Sequence, residues 1–393
     1  MDHFAYLDSL LEQFTKKTVA GCACIVTREG EKIYEGYHGY ADLESSRPIM
    51  PDTVYRLFSL TKIAIYTACM MLYERGAFLL NDPLYEYIPE YRHMKKYVRI
   101  GEGKYDVRPV ERPIEVKHIM SMSMGLPYGH TILPGDNEMA ETSREMCRVT
   151  QDLAAKGPYS LQEDVANAAR VPLAFEPGTR WLYGFGSELA ARLVEVVTGQ
   201  DIESALHTLL LDPLGMSSTG MHFFGDTQSR MSTFYMRGED GSLTPGKAVF
   251  DDKHLPGRAH ESGCARLFTT AEDFSHLARM LACGGVYEGR RIMGAKTIEL
   301  MHTNQLNERQ LADFHNPYLD GYGYGLGVRV MMDRAGGNSN SPVGEFGWTG
   351  GSGTWISMDP ADKVSVIYMH QMAPNMEVYH HLRVRAAVYG AIG

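Results

Sequence analysis

The run from Ile63 to Tyr73, closed by Gly76, constrains this chain more than any other stretch. It is apolar on nearly every side, and a helix of that kind is buried. The rest of the 393 residues must therefore build a core around it. Ser59-Leu60-Thr61-Lys62 stands immediately before the run, which places Ser59 and Lys62 on the first helical turn. Residues three apart share a helix face, so the hydroxyl and the amine can meet. Two readings of the pair stay open. Ser59 caps the helix and Lys62 lays its stem along the core, or the two form an activated nucleophile. In the second reading the helix dipole and desolvation disfavour the ammonium form, so that Lys62 can take the Ser59 proton. This is the only Ser-x-x-Lys in the chain. One match is about what chance allows at this length, so its weight comes from its position at the head of a buried helix.

Composition narrows the function classes. The formal net charge of −10, the pI near 5.8 and the lack of a basic patch exclude a nucleic-acid partner. Lys95, Lys96 and Arg99 cluster, and read as a solvated helix end. No apolar run is long enough to span a bilayer, so no membrane partner is expected. Met1 to Tyr6 has neither a basic n-region nor an apolar h-region, so no secretion signal is expected. The six cysteines, at 22, 24, 69, 147, 264 and 283, are scattered. Cys22 and Cys24 lie two apart in a strand, where a disulfide would be strained. All six read as reduced thiols of a cytoplasmic protein. No Cys/His cluster has metal-ligand spacing, and the adjacent His380 and His381 cannot share a helix face. No metal is expected.

The expected fold class is α+β. Residues 2–17 form an amphipathic helix with Phe4, Leu7, Leu11 and Phe14 on one stripe. Strands follow at Gly21 to Thr27 and Lys32 to Gly39, joined by a turn at Arg28-Glu29-Gly30-Glu31. From Leu80 strand patterns thin out, and short helical segments appear at Glu115 to Met122, Ser160 to Ala169 and Ser187 to Thr198. After Gly263 the sheet pattern returns. Thr270 caps a helix running to Leu281, strands follow at Tyr322 to Met332, Gly353 to Met358 and Val364 to His370, and Met376 to Tyr389 closes the chain as a helix. The expected architecture is one antiparallel sheet flanked by the N- and C-terminal helices, with a mainly helical lobe inserted. Residues 1–79 and 250–393 form the sheet lobe, 80–249 the helical lobe, and the active site lies between them.

Five stretches together resemble a known group: Tyr55 to Lys62, Pro113 to Tyr128, Pro177 to Thr198, Ser262 to Leu281 and Phe346 to Pro360. They look like the serine β-lactamase and penicillin-binding-protein superfamily, in its class C-like branch, which also holds D-amino-acid peptidases and the family VIII carboxylesterases. The resemblance covers nearly the whole chain. It implies a β-lactamase/transpeptidase-like fold and an acyl-enzyme mechanism without metal or cofactor. Ser59 and Lys62 match the first motif of that group. Tyr183-Gly184-Phe185 is the best match to the second, Tyr-x-Asn or Tyr-x-Ser, with Phe185 in the third position. Trp348-Thr349-Gly350-Gly351 stands where the third motif, Lys-Thr-Gly, is expected, with an indole in place of the cation.

By this resemblance Ser59, Lys62 and Tyr183 are catalytic, with the Tyr183 phenol a second proton-transfer group close to the other two. The backbone N–H groups of Ser59 and Gly351 form the oxyanion hole. Tyr183 otherwise reads as a rim aromatic and the glycine pair, Gly350 and Gly351, as a bulge at a sheet edge; Trp348 is either pocket wall or core. The glycine pair would let the strand backbone approach the substrate. The departures bear on substrate, because Trp348 offers no charge to a substrate carboxylate and Phe185 offers no amide. A pocket lined by Trp348, Thr349, Gly350, Phe185 and Tyr128 would prefer a neutral, apolar acyl group. Trp348 in place of Lys, with a glycine pair after it, is similar to what the family VIII esterases carry. The expected activity is hydrolysis of carboxylic esters through an acyl-enzyme on Ser59, with a small-molecule ester or amide as partner. The alternatives are a D-amino-acid peptidase or weak β-lactamase on the same fold, and a non-catalytic binding protein.

Overall fold

Successive residues of the first strand, Gly21–Arg28, are buried up to Thr27 and face opposite ways. Cys22, Cys24 and Val26 pack on one side with Leu7, Leu11 and Phe14, while Ala23 and Ile25 pack on the other with Phe274, Leu277 and Leu281. A strand covered on both faces reads as an unbroken apolar run, which is what Gly21 to Val26 is. The computed structural model describes residues 3–248, 250–257 and 261–392. Met1 and Asp2, at the head of the N-terminal stretch, and Val249, at the expected lobe boundary, lie outside the described residues.

This strand sits inside an eight-stranded antiparallel sheet. Its spatial order is Tyr322–Tyr324, Arg329–Met331, Phe346–Thr349, Trp355–Asp359, Val364–Met369, Gly21–Arg28, Glu31–Asp42 and Arg47–Pro48. The first strand thus pairs with the last long one, with Ala23 opposite Met369 and Ile25 opposite Ile367. Helix Ala5–Lys17 and the closing helix Glu377–Ala391 cover one face. Helix Ala271–Ala282, capped by the Thr270 side chain on Asp273 N, covers the other. Burying Leu11 or Phe14 here contributes about 2 kcal/mol each. The α+β class, with helices on an antiparallel sheet, is the class observed. Cys22 and Cys24 point to the same buried face, and all six cysteines are free thiols.

Several expectations need correction. The N-terminal helix begins at Ala5, and Phe4 precedes it, stacked on Tyr34 at 5.1 Å. Lys95, Lys96 and Arg99 are not a helix end. They lie on a hairpin, Lys95–Gly101 paired with Lys104–Pro109. Tyr97 and Val98 favour a strand, and Gly103 takes the positive φ of the turn. Lys96 pairs with Glu176 at 2.6 Å and Arg99 with Asp136 at 2.5 Å, so neither charge is simply solvated. Tyr322 to Met332 is two strands rather than one, broken at Gly325-Leu326-Gly327. A Cβ on Gly327 would lie 2.0 Å from the Tyr66 ring, so the bend packs directly on the buried helix. His380 and His381 do diverge: one meets Thr18 Oγ1 at 2.9 Å, the other Gly353 O at 3.2 Å. Among the described residues, no helix is long and apolar enough to cross a membrane.

Candidate active site

The chain reaches Ser59 through a constrained approach. Strand Val54–Arg56 pairs with Phe268–Thr270, and Leu57 N donates to Leu267 O. Phe58 then turns with φ of +48°, in the left-handed region that non-glycine residues avoid at a cost of about 1–3 kcal/mol. Ser59 follows on a short 3₁₀ turn, Phe58–Leu60, and the α-helix starts only at Thr61, running to Glu74. The nucleophile candidate therefore precedes the helix, one step earlier than the sequence reading has it. The three-residue spacing still works: Lys62 Nζ lies 3.1 Å from Ser59 Oγ.

Lys62 is 1% exposed. Its amine also donates to Cys264 O at 2.9 Å, and it sits over two phenol rings, 5.1 Å from the Tyr183 centroid and 5.3 Å from that of Tyr128. The segment carrying the Cys264 carbonyl is held by a buried carboxylate that sequence reasoning missed. Glu188 Oε1 accepts from Ser262 Oγ at 2.5 Å and Oε2 from Gly263 N at 2.7 Å. The available signal was an acid in the first turn of the helix Gly186–Thr198, directly before the apolar Leu189, Ala190 and Ala191. A Cβ on Gly263 would lie 2.1 Å from Ser187 O, so this contact needs glycine.

Tyr183 arrives on a loop clamped by its neighbours. Leu182 N donates to Met122 O, Phe185 N to Leu126 O, and a Cβ on Gly184 would sit 2.2 Å from Leu126 O. The Tyr183 hydroxyl accepts from Trp348 Nε1 at 3.1 Å. Its ring, rather than its hydroxyl, meets Lys62, so the expected convergence of three polar atoms takes a different form. The Trp348 N–H draws the phenol oxygen toward the third strand motif. Since Trp348 donates, the phenol keeps its own proton free to give.

Ser59, Trp181, Tyr183, Trp348, Thr349, Gly350 and Gly351 line one cavity of about 370 Å³, and Phe314, Tyr318, Arg329, Asn375 and Glu377 are among the residues of its other walls. Trp348 is thus wall and core together. Phe185 and Tyr128 are not among the lining residues. Phe185 heads the helix at Gly186 and turns its ring into the core, 3% exposed. Tyr128 stands behind Lys62, edge-on to Tyr183 at 5.5 Å, where burial raises its pKa well above the usual phenol range. The two glycines also differ from expectation. Gly350 N donates to Thr354 O at 2.7 Å, and a Cβ there would lie 2.2 Å from Leu57 O. Gly350 is small so that the strand can pack against the turn that carries Ser59. A Cβ on Gly351 would meet only the Phe58 ring, at an ordinary 3.5 Å.

Glu377 is the cavity's acid. Thr349 Oγ1 donates to its Oε2 at 2.9 Å. Burial raises its pKa, against the opposing Thr349 hydrogen bond and Arg329 charge. Elsewhere, Glu203, His222 and Glu261 bring ligand-type atoms within 4.8 Å of one another, a group that sequence spacing misses. The Glu203 carboxylate there is already taken up by Met221 N, His222 N and His222 Nδ1. A larger groove of about 660 Å³ beside Arg192, Gln200 and Glu261 contains neither Ser59 nor Lys62.

A family model described as Beta-lactamase matches residues 7–390. Esterase EstB of Burkholderia gladioli is 26% identical, over 98% of this chain and 95% of its own. Among solved structures, the simvastatin synthase LovD of Aspergillus terreus superposes with a TM-score of 0.83 at 20% identity, covering 99% and 98% of the two chains. EstCE1, described as a hydrolase with promiscuous acyltransferase activity, gives 0.81 at 22% identity, covering 98% of each. At these identities the superpositions establish the shared fold.

Proposed function

The chain belongs to the Beta-lactamase family, and on that premise we propose that it is a serine hydrolase of carboxylic esters. Ser59 Oγ attacks the ester carbonyl while Lys62 takes its proton. The N–H groups of Ser59 and Gly351 hold the oxyanion of the tetrahedral intermediate. Its collapse breaks the ester C–O bond, and the alcohol leaves with a proton returned from Lys62 or given by the Tyr183 phenol. Water then repeats the sequence on the acyl-enzyme and frees the acid. Residues 1–79 with 250–393 and residues 80–249 are read as two lobes meeting at this site. Six free thiols support a cytoplasmic location.

One observation carries this reading: a buried amine 3.1 Å from the hydroxyl of Ser59, which lines a cavity walled in part by Trp181, Tyr183, Phe314 and Tyr318 and whose third-motif position is Trp348 rather than a cation. The name of the Burkholderia relative agrees with it. An amide-directed enzyme of the resembled group would want a cation where Trp348 stands. Turnover of short-chain p-nitrophenyl esters, lost in Ser59→Ala, is the expected result; equal rates in the two proteins would refute it. Persistent labelling by fluorescent penicillin or nitrocefin turnover would favour the amide-directed reading instead. Acyl transfer to an alcohol is a variant in which an alcohol replaces water. The descriptions of the two solved neighbours favour testing it by adding alcohols to the ester assay.

A further inference from the structure

The polar end of the cavity contains a carboxylate that the ester reaction does not use. Glu377 opens the closing helix Glu377–Ala391, where the helix dipole favours negative charge. Two contacts fix it: Thr349 Oγ1 on its Oε2 at 2.9 Å, and Asn375 Oδ1 accepting from its backbone N at 3.2 Å. Thr349 and Glu377 line the same cavity as Ser59, and so do the rings of Trp181, Tyr183, Phe314 and Trp348. A carboxylate beside several aromatic rings is the arrangement that binds ammonium groups, by charge and by cation–π attraction.

Among the nearby cations, the Arg329 charge acts on Glu377 and offsets it in part. Arg329 reaches the cavity floor, yet it is 1% exposed and its Nη2 is paired with Glu345 at 2.9 Å. Its guanidinium lies over the Tyr322 and Trp355 rings. Arg385 lies over the same two rings and is not among the lining residues. His315 is exposed and faces Asp320 at 3.6 Å. The net charge of −10 also draws cations toward the molecule.

Resting on the ester-hydrolase reading, we propose that Glu377 determines substrate class: the cavity takes esters bearing an ammonium group and turns away esters bearing a carboxylate. The ammonium sits between Glu377 and the aromatic walls while the ester carbonyl reaches Ser59. A substrate carboxylate would face the Glu377 carboxylate, and Thr349, its natural donor, is already committed.

The test uses three acetate esters on the full chain: acetylcholine, its uncharged isostere 3,3-dimethylbutyl acetate, and a carboxylate-bearing 3-carboxypropyl acetate. Wild type should favour acetylcholine over the isostere by about tenfold or more in kcat/KM, mostly through KM, and hydrolyse the anionic ester slowest. Glu377→Gln should bring the cation-to-neutral ratio toward one, Glu377→Asp should keep a preference above one, and Glu377→Lys should shift preference to the anionic ester. A wild-type ratio near one, or a ratio that survives in both the Gln and Lys variants, overturns the assignment. Ser59-dependent turnover of the neutral ester without charge preference sinks the Glu377 role alone. Turnover of none of the three esters while Ser59-dependent turnover of p-nitrophenyl acetate persists likewise sinks the Glu377 role alone, whereas ester turnover that persists in Ser59→Ala sinks the hydrolase reading and this proposal with it.

Discussion

Lys62 Nζ stands 3.1 Å from Ser59 Oγ and 2.9 Å from Cys264 O, on a side chain that is 1% exposed. A backbone carbonyl fixes the amine while leaving it facing the hydroxyl. If this amine moves the proton, Lys62→Met keeps the apolar stem and should lower kcat/KM at least about 10³-fold. Fluorophosphonate labelling of Ser59 should slow in parallel. Rapid labelling in Lys62→Met would show that another group activates the serine.

Glu188 acts at one remove. It holds Ser262 and Gly263, and so sets where the Cys264 carbonyl meets Lys62. Glu188→Gln keeps the shape and one acceptor, but it leaves a buried donor poorly matched, at a cost of about 1–3 kcal/mol. The expected outcome is a fall of about 10-fold or more in kcat with a smaller change in KM, together with a shifted pH–rate profile. A lower melting temperature with unchanged kcat and pH profile would mark Glu188 as purely structural.

The contact between Ser59 and Lys62 was legible because its geometry is local: a three-residue spacing ahead of an apolar run determines a contact without knowledge of the rest. The sheet's first and last strands were legible for the same reason. Glu188 and Glu377 were not, because their partners lie 75 and 28 residues away in sequence. Phe185 was misplaced because a motif position gives no side-chain direction, and the helix start at Gly186 turns that ring inward. The single strand expected over Tyr322 to Met332 failed at Gly327, whose contact with Tyr66 is invisible until both are folded.

The glycine pair gives a sharp stability contrast. At Gly350 a methyl group would meet Leu57 O at 2.2 Å and Thr354 Oγ1 at 2.1 Å, both held by other contacts. Gly350→Ala should destabilise the fold by about 2 kcal/mol or more and misplace the nucleophile turn, removing most activity. At Gly351 the methyl group meets only the Phe58 ring at 3.5 Å, so Gly351→Ala should shift the melting temperature by a degree or two at most. Equal melting shifts for the two variants would contradict the packing described here.

Acid should unfold this protein through its buried histidines. His118 is 5% exposed, and its Nδ1 accepts from Glu115 N at 3.1 Å within a capping box. Burial pulls its pKa down to about 4, from the 6.5 of a free imidazole, with Glu115 opposing and Lys117 and Arg112 adding. Burial likewise takes His254 and His380 to about 4. Because the folded pKa is depressed, the unfolded chain binds more protons between pH 6.5 and 4. Stability is therefore fully present above 6.5 and falls as pH drops through that window. His118 alone contributes a loss on the order of 2–3 kcal/mol by pH 4. Urea melts of wild type at pH 7 and pH 4.5 should show this decline, and His118→Asn, less stable at pH 7, should show a shallower one. A decline of equal size in the variant would remove His118 from the acid response.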